Sequence, residues 1–252
     1  MNKQRIYTLD AIKLIASIFI IFHHYQYIRG ISFSNGINFY GGKIYVGYLV
    51  ELFFMISGFV CEIKFEQNSK TTLKTFIGKR AVRIYPMAVM SICFYAFAVY
   101  SYRAIVGSWY NGEVIGIWKL LSSMLLVSQG GCIKLDGASV NNPTWYLCVL
   151  MLCYSFYGAV IRYSQRKKIN PVYFYILMLF LGVGIIDYKI NLPFANMESA
   201  RGYISFFAGT LLYQINKRYS YKIGENIVCL FVYLYDIIIA FGLCIFWKFT
   251  NR

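Results

Sequence analysis

The chain has 252 residues, 59% of them hydrophobic and only 14% charged, with a mean hydropathy of +0.54. A soluble domain of this length needs far more charge to cover its surface, so the soluble globular class is excluded. The net charge of +15 would suggest nucleic acid in a soluble chain. Here much of the basic charge sits in short loops between apolar runs, where it sets topology and faces anionic lipid, so no nucleic-acid partner is expected.

The apolar runs approach the roughly 20 residues that a helix needs to cross a hydrocarbon core. Few of them alternate with period two, which argues against a transmembrane β-barrel. Helices are the remaining way to satisfy backbone polar groups in lipid. We therefore expect an all-α, polytopic transmembrane helix bundle.

Met1–Arg5 is basic, and the apolar stretch behind it lacks a small-residue cleavage site. It reads as a retained first span over Ala11–Ile28. A second span, Ile44–Cys61, is interrupted by Glu51, and a polar, basic loop follows from Glu62 to Lys79. The third span covers Ala81–Tyr102. Val114–Val127 is short and carries Lys119, so it is expected to be re-entrant or interfacial. Gly130–Thr144 is rich in Gly, Asn and Pro. Further spans are expected at Trp145–Ile161, Pro171–Ile186, Gly202–Ile215 and Asn226–Trp247, with basic loops at Arg162–Lys168 and Lys217–Lys222. The excess of Lys and Arg on cytoplasmic loops puts the N-terminus inside and gives about 7–8 spans in the cell membrane. Of the seven cysteines, most lie inside apolar runs and none forms a CxxC pair; only Cys132 sits in a polar stretch. They read as core packing, and no metal site is expected. There is no internal repeat and no sign of a soluble second domain, so 1–252 is read as one membrane-embedded domain.

The two histidines, His23 and His24, are adjacent in the first span. An ionisable pair in lipid is a functional candidate, and imidazole transfers protons near neutral pH. Lys13 and His24 are eleven residues apart, which puts them within roughly 20° of each other around a helix and roughly 16 Å apart along it. His23 falls about 80° off that line. Lys13 either snorkels to the inner interface or belongs to the site. Counted from the span ends, Glu51 lies roughly 10 Å below the outer surface and His24 roughly 18 Å above the inner one. In a core about 30 Å thick these depths coincide. Glu51 either orients His24 or pairs with another cation. Arg80 and Arg83 are three apart and share a helix face at the cytoplasmic mouth of the third span. They serve either as lipid-headgroup anchors or, facing the bundle, as a phosphate site. Asp236 lies deep in the last span and is assigned no role.

Four segments, in order and spacing, resemble the acyltransferase-3 family. They are Leu9-Asp10-Ala11-Ile12-Lys13 through His23-His24, Glu51-Leu52-Phe53-Phe54 with Ser57-Gly58-Phe59, Arg80-Ala81-Val82-Arg83-Ile84-Tyr85-Pro86, and Pro143-Thr144-Trp145-Tyr146-Leu147. The family pattern of a basic residue, ten residues and then histidine falls on Lys13 and His24. Its paired arginines fall on Arg80 and Arg83. The resemblance implies a membrane O-acyltransferase that takes an acyl group, usually acetyl from acetyl-CoA, and modifies a hydroxyl of an extracytoplasmic glycan. It implies an essential histidine and arginines that contact the acyl donor. The family usually has more spans than are expected here, so the chain reads either as a short member or as one that lacks the last family spans.

The expected site is therefore His24 as general base or transient acyl carrier, supported by Glu51, with Lys13, Arg80 and Arg83 binding the acyl-CoA co-substrate. The reach of the pantetheine arm is comparable to the Lys13–His24 offset. A base must be neutral, so activity is expected to fall as pH drops through the His24 pKa. Acyl-CoA, a glycan acceptor and membrane lipid are the expected partners; oligomeric state is left open. The alternative is a non-enzymatic component that exports or flips a polysaccharide or lipid intermediate. Such a protein needs a polar path through most spans, whereas the ionisable residues here concentrate in the first three.

Overall fold

The computed structural model describes residues 7–32, 38–40, 46–67, 72–112, 114–128 and 140–218. Among these the regular elements are helices: α1 (Tyr7–Arg29), α2 (Leu49–Gln67), α3 (Leu73–Val106), α4 (Ile117–Met124), α5 (Trp145–Lys167), α6 (Val172–Asp187) and α7 (Met197–Arg218). Short 3-10 turns precede α2, α4 and α5. The expected span Asn226–Trp247, with Asp236, lies outside the described residues, as do Met1–Arg5 and Cys132.

Four helical stretches are long and apolar enough to cross a membrane: Tyr7–Arg29, Val46–Glu66, Leu73–Val106 and Asn142–Lys167. Helix α6 is apolar but has 16 residues. Helix α4 has eight; at about 1.5 Å per residue it is about 12 Å long and cannot by itself cross a core of about 30 Å. The expected non-crossing segment at Val114–Val127 thus contains only a short helix. The helix ends at Met124, and Leu126, with a φ of +53°, turns the chain away just beyond it.

Several helices overrun the boundaries read from hydropathy, because apolar composition marks the lipid core rather than the ends of hydrogen bonding. Helix α3 begins well before Ala81. Thr72 caps it, its Oγ1 accepting from the Thr75 N–H at 3.3 Å. It ends at Gly107, in the left-handed region, which donates its N–H to the Arg103 carbonyl. At 34 residues it is about 51 Å long, more than a bilayer core requires.

The chain forms two compact units, 1–63 with 208–252, and 64–207. The boundaries fall inside α2 and α7. In the first unit, Leu9 and Ala16 of α1 pack with Met55, Ile56 and Phe59 of α2 and Leu212 of α7. Gly209 permits this: a Cβ there would collide with the Met55 carbonyl oxygen and lie 2.9 Å from its Cα. Small residues let helix backbones approach where lipid supplies no hydrophobic drive between helices.

In the second unit α3 is the spine. It runs antiparallel to α5, with Phe76 against Tyr154 and Tyr157, and Ala88 with Cys148. Tyr157 stacks on Tyr175 of α6, centroids 6.1 Å apart. Gly182 of α6 brings that helix onto α7, since a Cβ there would stand 2.9 Å from the Ala200 carbonyl oxygen. Two α3 tyrosines flank the short α4: Tyr100 donates to the Ile115 carbonyl and Tyr85 to the Leu125 carbonyl, both at 2.7 Å.

Gly209 meets backbone, which cannot rotate away. Gly209→Ala should therefore lower stability by about 1–3 kcal/mol. Gly78, with nothing within 4 Å of an added Cβ, should accept Ala unchanged or with a slight gain. Thermal unfolding of the two variants in detergent checks this.

Candidate functional site

In the first unit the histidine pair divides. His23 is 8% exposed and His24 half-buried. The His23 Nδ1 lies 2.8 Å from the Phe39 carbonyl oxygen. A carbonyl only accepts, so this nitrogen carries the proton, and the bond sets both tautomer and ring direction. The His24 ring stands edge-on to His23, with centroids 5.4 Å apart and planes at 86°. The helical period separates the two imidazoles by face; the structure adds that His23 is committed to holding backbone. Lys13, on the line of His24, is half-buried.

Glu51 lies in the first turn of α2 and is 3% exposed. Hydropathy starts the second span at Ile44, but α2 begins at Leu49 after a 3-10 turn at Val46–Tyr48. The carboxylate therefore sits two residues into the helix, and its burial turns it toward protein.

Hydropathy also places Glu62 in a loop. Helix α2 instead continues through it to Gln67, and Glu62 is 1% exposed. Gln214 of α7 donates its amide N–H to the Glu62 carboxylate at 2.8 Å. The signal lies in the spacing: Glu62 follows Glu51 by eleven residues, which returns to the same helix face. Gln26 of α1 is a further residue that motif reasoning misses, although it follows His23 by three and lies on its side of the helix.

In the second unit the two family arginines are not equivalent. Arg80 is half-buried, its guanidinium carbon 5.0 Å from the Phe76 ring centre and 5.2 Å from that of Tyr154. Arg83 is exposed. Three residues of separation keep them on one broad side of α3, but only Arg80 reaches α5. Trp145, from the fourth matching segment, opens α5 and lies under Arg201 of α7, the guanidinium carbon 4.9 Å above its ring. Arg201 is invisible to hydropathy because the apolar run starts one residue later, at Gly202. Among the described residues no group of three or more His, Cys, Asp or Glu side chains could hold a metal ion.

A helical protein with four stretches of spanning length and ionisable side chains turned into its packed units defines a class, that of membrane proteins with polar groups held inside. A family model described as an acyltransferase domain matches residues 6–251, and the chain belongs to the acyltransferase-3 family. Membership makes it a membrane acyltransferase in general terms, acting with an acyl donor and an acceptor. No curated protein and no solved structure matches it.

The unequal surroundings of the arginines give a direct test. Arg80→Lys loses a planar cation set beside two rings and should cost about 0.5–2 kcal/mol. Arg83→Lys, at an exposed position, should stay within about 0.5 kcal/mol. Unfolding temperatures of the purified variants report the difference.

Proposed function

We propose that the protein is a membrane O-acyltransferase that moves an acetyl group from cytoplasmic acetyl-CoA to a hydroxyl of an extracytoplasmic glycan. The observation that carries this reading is the family match across nearly the whole chain, with its basic-residue-to-histidine spacing falling on Lys13 and His24. In this reading the protein is multi-pass in the cell membrane, with about seven or eight spans and a cytoplasmic N-terminus. The basic last turns of α5 (Arg166, Lys167) and α7 (Lys217, Arg218) support that orientation.

His24 acts as general base. It takes the proton of a sugar hydroxyl as the oxygen attacks the thioester carbonyl; the C–S bond breaks, CoA leaves as thiolate and collects a proton, and the ester remains on the glycan. The assignment to His24 rather than His23 follows the family spacing from Lys13. Glu51 supports the imidazolium that forms. Arg80 and Arg83 hold phosphates of the acyl-CoA, and Lys13 favours the same anionic donor. Phe76 and Tyr154 approach the Arg80 guanidinium through cation–π contact, which leaves its N–H groups suited to phosphate oxygens.

Complementing a gene deletion with His24→Ala should restore no base-labile acetate to the surface glycan, whereas wild type restores it in full; full acetylation by the variant would end the base assignment. Arg80→Ala should raise the acetyl-CoA concentration needed for half-maximal transfer in membranes, by about tenfold for each 1.4 kcal/mol that the guanidinium contributes to phosphate binding. Transfer should fall on the acid side as His24 takes up a proton, because only the neutral ring accepts one. Consumption of acetyl-CoA by the purified protein separates this reading from glycan export.

A further inference from the structure

The non-helical stretch Asn38–Tyr40 lies against α1 and is paired to it by side chains. Gln26 is 1% exposed. Its Oε1 accepts from two successive backbone N–H groups, Phe39 at 2.6 Å and Tyr40 at 3.2 Å, and its Nε2 donates to Asn38 Oδ1 at 3.1 Å. His23 completes the set through its bond to the Phe39 carbonyl. Rings seal the interface. Phe39 stacks on Phe22, centroids 5.4 Å apart and planes at 22°. Tyr40 stands edge-on to His23 at 5.3 Å and to Tyr27 at 4.9 Å.

We propose that Gln26 is a positioning residue for acyl transfer: by holding Asn38–Tyr40 on α1 it fixes the His23 ring, against which His24 stands. The inference rests on the reading of His24 as the base. A base works only when its lone pair is held in a narrow direction, and misplacement by about 1 Å can cost on the order of 100-fold in rate. The orientation of His23 depends on where the Phe39 carbonyl is, and Gln26 fixes that carbonyl through the N–H groups on either side of it. Buried backbone groups left without a partner are costly. Without Gln26 the stretch leaves α1 to find other partners, and His23 loses its acceptor.

The test uses the full chain and two readouts. The first is transfer in membranes supplied with radiolabelled acetyl-CoA and the cell's own surface glycan. Gln26→Leu, which keeps the bulk and removes all three bonds, should lower kcat by about tenfold or more while KM for acetyl-CoA stays unchanged. Gln26→Glu keeps the acceptor for both N–H groups and should recover most of the loss. The second readout needs no activity. The chain has two histidines, so in a His24→Gln background only His23 can form the carbethoxyhistidine that diethyl pyrocarbonate produces. Its carbethoxylation should be slow with Gln26 present, about tenfold faster in Gln26→Leu, and slow again in Gln26→Glu. Equal His23 reactivity with and without Gln26, or a wild-type kcat in Gln26→Leu, overturns the proposal. His24→Ala run alongside separates it from the reading beneath it. Full activity there removes the base and this proposal together, whereas an inactive His24→Ala beside a fully active Gln26→Leu removes the proposal alone.

Discussion

Inside a bilayer the backbone has no water to bond, so each N–H and C=O needs a partner from the protein itself. Helices meet that demand for most of this chain. Where the chain leaves a helix, side chains of neighbouring helices supply the partners. Gln26 and His23 take the N–H group and carbonyl of Phe39 and the N–H of Tyr40. Ser123 of α4 accepts from the Val140 N–H, and Tyr85 and Tyr100 of α3 donate to the carbonyls beside α4. The same device recurs in both compact units. It accounts for polar residues on otherwise apolar helices without assigning each of them chemistry.

Charge inside the packed units is handled by a second device. A guanidinium withdrawn from water is expensive, and the faces of aromatic rings return part of the cost. Arg80 beside Phe76 and Tyr154, and Arg201 over Trp145, are both placed this way. Each joins α5 to a neighbouring helix of the second unit, so the rings orient the cation as well as stabilise it. Arg83 is exposed. Two arginines that look alike as a pair in sequence thus differ in burial and in ring contacts.

The acids of α2 follow the same economy. Glu51 and Glu62 lie on one helix face, eleven residues apart, and both are buried. Glu62 accepts from Gln214 and so ties α2 to α7 in the first unit. Glu51 opens the helix, where the positive end of the helix dipole favours a carboxylate. A membrane acyltransferase needs charged groups at defined positions, and this unit pairs at least one of its buried carboxylates with a neutral amide of a neighbouring helix.

Apolar run length and the scarcity of charge were sufficient, by themselves, to determine a helical membrane protein. Residue spacing was sufficient to bring out the histidines, Glu51, the two arginines and the family they resemble. These properties are local: hydropathy, helical period and motif order need no knowledge of what packs against what. The structure alone decided that His23 holds a backbone carbonyl, that Arg80 is cradled while Arg83 is exposed, and that Glu62 is a buried helical residue rather than part of a loop. Each of those depends on a partner far along the chain, at Phe39, Tyr154 and Gln214. Pairing across such distances is set by tertiary packing, and no window of sequence contains it.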